Sequence, residues 1–346
     1  MRLVAGLSDG GPARIRGPRY SAGLAGPAML AILSITVPIY LAIAAGWLVT
    51  RGGLFARGDM RVLGLFVIRL ALPALLFSAL VQRPAGDVLN LRYMLLYALG
   101  SLLTLFVGRW WAGRQAPAGS PVPALMAMGM SCPNSGFVGY PILSMVIAQT
   151  AGLVLGLNMI VENLLLVPLA MALADAADGR GDWRLTLRRA AHSLARNPMI
   201  WAMAAGVAVA LTGLRLPAPL LRTIGLFAQA STALSLFVIG GSLVGLGLAG
   251  MRRQVLRIAA GKLLLHPALM LAVLLAAEAL GMPPMEPALR LALVLSAAAP
   301  MLSIYPILAQ PHGQDSLAAA SLLATTALSF FTISALLAVL PHLLGV

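Results

Sequence analysis

Residues 131–143 read Ser-Cys-Pro-Asn-Ser-Gly-Phe-Val-Gly-Tyr-Pro-Ile-Leu, and residues 296–308 read Ser-Ala-Ala-Ala-Pro-Met-Leu-Ser-Ile-Tyr-Pro-Ile-Leu. At an offset of 165, Ser131 falls on Ser296 and the run Tyr140–Leu143 repeats as Tyr305–Leu308. Each stretch lies in an apolar segment long enough to span a bilayer, yet each carries prolines near its middle. Proline removes a backbone donor and clashes with the preceding turn, so a helix must open there. Opened backbone survives in lipid only where it is buried in protein or lines a wet cavity. Paired interruptions at corresponding places in two halves of a chain point to a transporter's binding site. Pro133, Pro141, Pro300 and Pro306 therefore mark an expected crossover. The candidate substrate contacts beside them are Asn134, Ser135, Gly136, Tyr140, Ser303 and Tyr305.

The rest of the chain has the same character. Hydrophobic residues make up 60% and charged residues 10%, against about 25% charged in soluble domains. Apolar runs recur along nearly the whole length. They predict an all-α integral membrane protein with ten spans at 28–50, 60–81, 93–112, 123–148, 150–174, 198–214, 219–246, 256–280, 288–310 and 316–340. An Arg-rich loop, 175–197, divides a first repeat at 28–174 from a second at 198–346. Ala44-Ala45-Gly46 returns as Ala204-Ala205-Gly206, and Leu76-Phe77 as Leu236-Phe237. Five spans is an odd number, so the second copy enters the membrane from the opposite side. The expected architecture is a 5+5 inverted repeat with broken, crossing helices 4 and 9. Gly152-x-x-x-Gly156 and Gly241-x-x-x-Gly245 read as close-packing motifs.

The net charge of +14 suggests nucleic acid until its distribution is traced. Arg51, Arg57, Arg61, Arg109, Arg114, the arginines of 175–197, Arg252, Arg253, Arg257 and Lys262 fall on one side of the ten-span scheme. The other side holds Arg83, Arg92, Arg215, Arg222, Arg290 and the tail arginines, and Arg69 sits within a span. The positive-inside rule then puts the 175–197 loop in the cytoplasm and both termini outside, in a multi-pass protein of the bacterial inner membrane. The basic surplus reads as topology signalling with affinity for anionic membrane lipid, not nucleic acid. Cys132 is the sole cysteine, and His192, His266, His312 and His342 have no partner at metal-ligand spacing, so no metal site or cofactor is expected. Residues 1–27 are rich in Gly, Pro and Arg and lack an apolar core. They read as a disordered tail, or as sequence upstream of a start at Met29.

The first break carries specific chemistry. With the interruption at Pro133–Pro141, a new helix would begin near Pro141, its free N–H groups facing the break. A helix N-terminus is a ready site for a carboxylate, and two of them converging would suit a small organic anion without any buried Lys or Arg. Asn134 offers two donors and an acceptor on a short arm; it contacts the ligand, caps the opened helix, or does both. Ser135 and Ser303 either contact the ligand or bond a carbonyl one turn back. Tyr140 and Tyr305 are contacts, or packing residues with wet hydroxyls. Glu162 is the acidic residue in mid-span, beside Asn163 and one turn after Asn158. A charge at that depth costs about 2.5–3.5 kcal/mol or more. It is expected to be a proton carrier or cation ligand, or else a neutral carboxyl bonded to Asn158 or another helix. Arg69 either snorkels to a surface or pairs with Glu162.

The 131–143 pattern resembles the fourth-helix signature of the auxin efflux carrier family, which includes bacterial permeases and the plant PIN carriers. Leu70-Ala-Leu-Pro-Ala-Leu-Leu-Phe77, Arg196-Asn-Pro198, Phe237-Val-Ile-Gly-Gly-Ser-Leu243 and Ser321 to Thr332 fit as well. The resemblance covers residues 29–340. It implies ten helices split into a scaffold and a transport domain, with Asn134 at the substrate carboxylate and Pro133 and Pro300 at the crossover. It also implies dicarboxylates such as malate or malonate as substrates of bacterial members. Glu162 and the Gln310-Pro-His312 stretch depart from the family pattern.

The expected function is a secondary-active carrier, an efflux permease of mono- or dicarboxylates working by alternating access. Whether it acts as a homodimer is left open. A sodium-coupled organic-anion symporter of the bile-acid type is the near alternative. An intramembrane enzyme is disfavoured: there is no His-Glu-x-x-His, and Pro133 stands where a Gly-x-Ser-Gly motif needs its first glycine. No nucleotide-binding loop is present, so a gradient or a partner subunit must supply the energy.

Overall fold

The computed structural model describes residues 25–81, 90–114, 116–179, 195–246, 251–283 and 285–345, with isolated positions between 188 and 192. Most of the 1–27 tail and most of the basic 175–197 loop lie outside the described residues.

Among the described residues, twelve helices of five residues or more follow in order. They are α1 Ala25–Arg51, α2 Arg57–Val81, α3 Leu91–Gly113, α4 Val122–Ser131, α5 Ser135–Val146 and α6 Ala148–Ala177. Then come α7 Pro198–Thr212, α8 Ala218–Ser242, α9 Arg252–Ala279, α10 Pro287–Ala298, α11 Tyr305–Ala309 and α12 Asp315–Leu344. Among the described residues there is no β-strand, and seven helices (α1, α2, α3, α6, α8, α9 and α12) are long and apolar enough to cross a membrane. The three remaining spans expected from hydropathy coincide with shorter helices: α4 with α5, α7 alone, and α10 with α11.

The exterior is greasy and the interior partly polar, the reverse of a soluble protein. Leu41, Leu95, Phe106, Leu226, Leu264 and Phe331 are exposed, while Ser101, Asn158, Glu162, Lys262, His266 and Ser296 are buried. This is the distribution expected when the solvent is hydrocarbon and polar groups find partners only inside. α1 packs chiefly on α8, and α2 on α7 and α8. A second set of contacts joins α3 to α4 and α9, and α9 to α10 and α12. Backbones nearly touch where α1 meets α8: a Cβ on Gly240 would lie 1.8 Å from the Ile43 carbonyl oxygen, and one on Gly46 2.0 Å from that of Phe237. Gly152 similarly admits Ala79 and Gly241 admits Met60, whereas Gly245 lies in a turn at φ +75° beyond the end of α8.

Four helices widen into a π turn at the same point relative to a proline. The turns are Val67–Ala71, Ser135–Gly139, Glu162–Leu166 and Gly261–Leu265. In each, the next residue donates its N–H five residues back: Leu72 to Val67, Tyr140 to Ser135, Val167 to Glu162 and His266 to Gly261. Pro73, Pro141, Pro168 and Pro267 follow immediately. The wide turn relieves the clash of the proline ring and re-satisfies backbone groups that lipid would leave bare. It also explains a difference from the sequence expectation. The first interruption is only Cys132–Asn134, and the following helix begins at Ser135, not near Pro141, because the π turn absorbs Pro141 within it.

Candidate functional site at the paired helix breaks

The two breaks are stitched to one another. The Asn134 N–H donates to the Pro300 carbonyl at 2.8 Å, and the Leu302 N–H to the Cys132 carbonyl at 3.0 Å, so Pro133 and Met301 face each other as an antiparallel bridge. Each proline lacks an N–H, and the residues around it trade backbone bonds across the seam instead of along a helix.

Asn134 does what an N-cap residue does. Its Oδ1 accepts from the Phe137 N–H at 3.1 Å, and its own carbonyl accepts from Val138 and Gly139. Its Nδ2 is buried without a partner, in a residue only 2% exposed. Capping therefore uses half of the side chain and leaves the donor half unspent. Ser135 does not bond a carbonyl one turn back; its hydroxyl donates to Glu162 Oε1. Tyr97 donates to the same oxygen at 2.7 Å, while Glu162 Oε2 is buried without a partner. Glu162 thus bonds two other helices, through Tyr97 and Ser135 and not through Asn158. Arg69 is exposed on α2 and forms no pair with Glu162.

Asn158 ties the second break into the same core. Its Oδ1 accepts from the Tyr93 hydroxyl at 2.9 Å and its Nδ2 donates to Ser296 Oγ at 2.9 Å. Asn163 stands apart, donating to the Met159 carbonyl of its own helix. Gly136 packs against α2, where an added Cβ would lie 3.0 Å from Leu72 Cδ1. Tyr140 and Ser303 are half-buried. The Tyr305 hydroxyl is dry, donating to the Leu125 carbonyl at 2.9 Å. The second break is followed by α11, only five residues long. A second helix N-terminus comparable to that of α5 is therefore not built there.

Lys262 departs most from the sequence reading, which counted it among the inner-surface cations. It is fully buried in the π turn of α9, where Nζ donates to the Ala297 carbonyl at 2.8 Å and lies 2.8 Å from His266 Nδ1. His266 Nε2 continues to Ser101 Oγ at 3.1 Å. A basic residue therefore does reach a break, delivered by a neighbouring helix. Lys262 also lies within electrostatic reach of Glu162 and Cys132. Such charges are tolerated in a membrane interior only when paired and hydrogen-bonded. The missed residues left a trace in the sequence. Tyr93, Tyr97 and Ser101 recur every fourth residue, one stripe of a helix, and Lys262 already lay inside the eighth span as drawn.

His312 also gains partners that spacing along the chain hid. It sits 3.0 Å from Asp178 and 3.5 Å from Asp175, fastening the turn after α11 to the end of α6. Among the described residues no cluster of His, Cys, Asp and Glu is arranged to hold a metal ion.

Comparison with known proteins points to membrane transport. A family model described as "Membrane transport protein" matches residues 31–337. A relative from Rhizobium meliloti (strain 1021), named "Putative malonate transporter", is 28% identical over 312 residues, covering 89% of this chain and 96% of its own. An Escherichia coli (strain K12) relative, named "Uncharacterized transporter YfdV", is 24% identical over 210 residues, covering 59% of this chain and 66% of its own. The match over residues 31–337, on a chain of apolar helices interrupted at Pro133 and Pro300, places this protein in the auxin efflux carrier family of membrane transport proteins: it is a multi-pass membrane transporter and not an enzyme.

Proposed function

We propose that the protein is a secondary-active carrier of small carboxylates that works by alternating access, with the substrate held at the stitched breaks. The observation that carries this reading is the buried, unpartnered Nδ2 of Asn134 at the seam. A buried donor without an acceptor costs about 1–3 kcal/mol, and a carboxylate oxygen is the acceptor that would relieve it. Ser135, Gly136, Tyr140, Ser303 and Tyr305 complete the proposed substrate region, with Pro133, Pro141, Pro300 and Pro306 shaping the crossover. The name of the Rhizobium relative makes malonate the first compound to try.

The proposed architecture has ten spans as a 5+5 inverted repeat, both termini outside a bacterial inner membrane. In it, α1, α2, α7 and α8 form a scaffold against which the remaining helices move. Glu162 is the proposed coupling group, because its free Oε2 can take a proton or a cation while Oε1 stays bonded to Tyr97 and Ser135. Asn158 and Asn163 belong to the same proposal as flanking polar groups. Sodium as the coupling ion corresponds to the bile-acid-type symporter reading.

The test is counterflow in proteoliposomes loaded with unlabelled malonate, with and without sodium and at two pH values. Saturable uptake of labelled malonate, competed by other dicarboxylates, supports the carrier. Uptake that never saturates and shows no counterflow refutes it in favour of a channel. Dependence on sodium identifies the symporter.

A further inference from the structure

The end of α9 nearest Arg252 has no part in the seam, and its chemistry is of another kind. The helix opens with Arg252-Arg253-Gln254, and Met251 at the N-cap position supplies no side-chain cap. The first N–H to find a helical acceptor is that of Val255, which donates to the Met251 carbonyl. The N–H groups before it carry the partial positive charge of the helix end. Arg252 and Arg253 are exposed beside them, with no ion-pair partner among the described residues.

Two concavities flank this end. One is an apolar groove of about 610 Å³ between α9 and α12, with Arg252 at its mouth and Val255, Leu256, Leu323, Ala324 and Leu328 along it. Leu256 and Leu328 are both exposed in it, at 62% and 41%. The other is a polar cleft of about 400 Å³ between α9 and the start of α4, where Arg253, Gln254 and Arg257 meet Ser120. The two arginines thus stand at the join of an apolar trough and a polar notch.

From this geometry we infer a binding site for an anionic phospholipid of the inner leaflet. The headgroup phosphate sits between Arg252, Arg253 and the uncapped α9 N-terminus, and an acyl chain lies in the α9–α12 groove. A soluble anion would use the arginines and leave the trough empty. A zwitterionic lipid would fill the trough and satisfy the cations poorly. An anionic amphiphile uses both. Basic residues at the cytoplasmic surface attract anionic lipid with about 1 kcal/mol each, so two of them correspond to about a 30-fold preference over a zwitterionic lipid. The leaflet assignment rests on the inside orientation proposed above; the residues of the site do not. The bound lipid would bear on the helix that carries Lys262 ten residues further along, about 15 Å away, and so on the seam.

The test uses the purified full chain, detergent-exchanged and titrated with dioleoylphosphatidylglycerol, dioleoylphosphatidylcholine, glycerol 3-phosphate or inorganic phosphate. Retained lipid is read by native mass spectrometry and stabilisation by thermal unfolding. Phosphatidylglycerol should be retained and should raise the apparent melting temperature, with phosphatidylcholine about 30-fold weaker. Arg252→Gln/Arg253→Gln should erase that preference, Ala327→Trp, which puts an indole into the same α9–α12 groove that Ala327 lines, should block retention of both lipids, and Arg215→Gln/Arg222→Gln should change nothing. Equal retention of the two lipids by the wild type, or a preference that survives the Arg252→Gln/Arg253→Gln change, overturns the inference. So does equal stabilisation by inorganic phosphate or glycerol 3-phosphate, which would show an anion site that does not use the groove. None of these readouts depends on malonate, so the lipid site and the carrier reading can fail separately.

Discussion

Asn134 is asked to perform two tasks with two different atoms, and substitution can separate them. Oδ1 caps α5 through the Phe137 N–H, while Nδ2 is buried with no partner. Asn134→Ala removes both. Loss of the cap costs about 0.5–2 kcal/mol of stability. Loss of a hydrogen bond to a charged group costs about 1.5–3 kcal/mol of binding, which weakens malonate by roughly 10- to 150-fold. Asn134→Ser retains a capping oxygen and deletes the amide donor, so it should bind malonate as weakly as the alanine variant while melting close to the wild type. Asn134→Asp retains the cap and puts a carboxylate beside the proposed carboxylate, and should bind most weakly of the three. The assay is equilibrium binding of labelled malonate to purified protein, with thermal unfolding run in parallel. Wild-type affinity in both Asn134→Ser and Asn134→Ala would show that Nδ2 does not face the substrate, whatever happens to stability.

The core behind the seam yields further expectations. Glu162→Gln keeps an acceptor for Tyr97 and Ser135 but cannot exchange a proton, so sodium- or pH-driven accumulation should vanish while malonate counterflow persists; intact driven accumulation would remove Glu162 from coupling. Lys262→Met leaves the Ala297 carbonyl and His266 without their donor, at about 1–3 kcal/mol for each buried group left unmade, and should lower the melting temperature; Glu162→Gln in the same chain should recover part of the loss, because both ionisable groups of the buried cluster are then replaced together. No recovery in that double variant would show that the two groups do not compensate one another. Gly240→Leu drives a side chain into the Ile43 carbonyl and should cost at least the 1–3 kcal/mol usual for overpacking, read as loss of monodisperse protein on size exclusion; normal yield and melting would contradict the close α1–α8 approach.

Apolar run length and two prolines at matching offsets were enough to read an all-helical membrane transporter with two interrupted spans, because lipid permits so few backbone solutions. The family signature at 131–143 lay in the same stretch. Asn134 and Glu162 stood out for a related reason: a polar side chain deep in an apolar run needs a partner or a function. What one dimension could not supply was the partner. Glu162 lies next to Asn163 in the chain but bonds Tyr97 and Ser135, and His312 finds its carboxylates at Asp175 and Asp178, more than a hundred residues away. Lys262 looked like a surface cation because counting charges by side assumes that a residue near a span end faces water. The packing of α9 against α3 and α10 turned it inward onto Ala297. The start of α5 moved for a local reason with a tertiary cause. Pro141 alone suggests a helix beginning there, but the seam to Pro300 and the Asn134 cap start the helix at Ser135, and a π turn carries it past the proline. Composition and spacing report the solvent a segment must satisfy, whereas pairings between buried polar groups depend on which helix faces meet, and that is settled only when the helices pack.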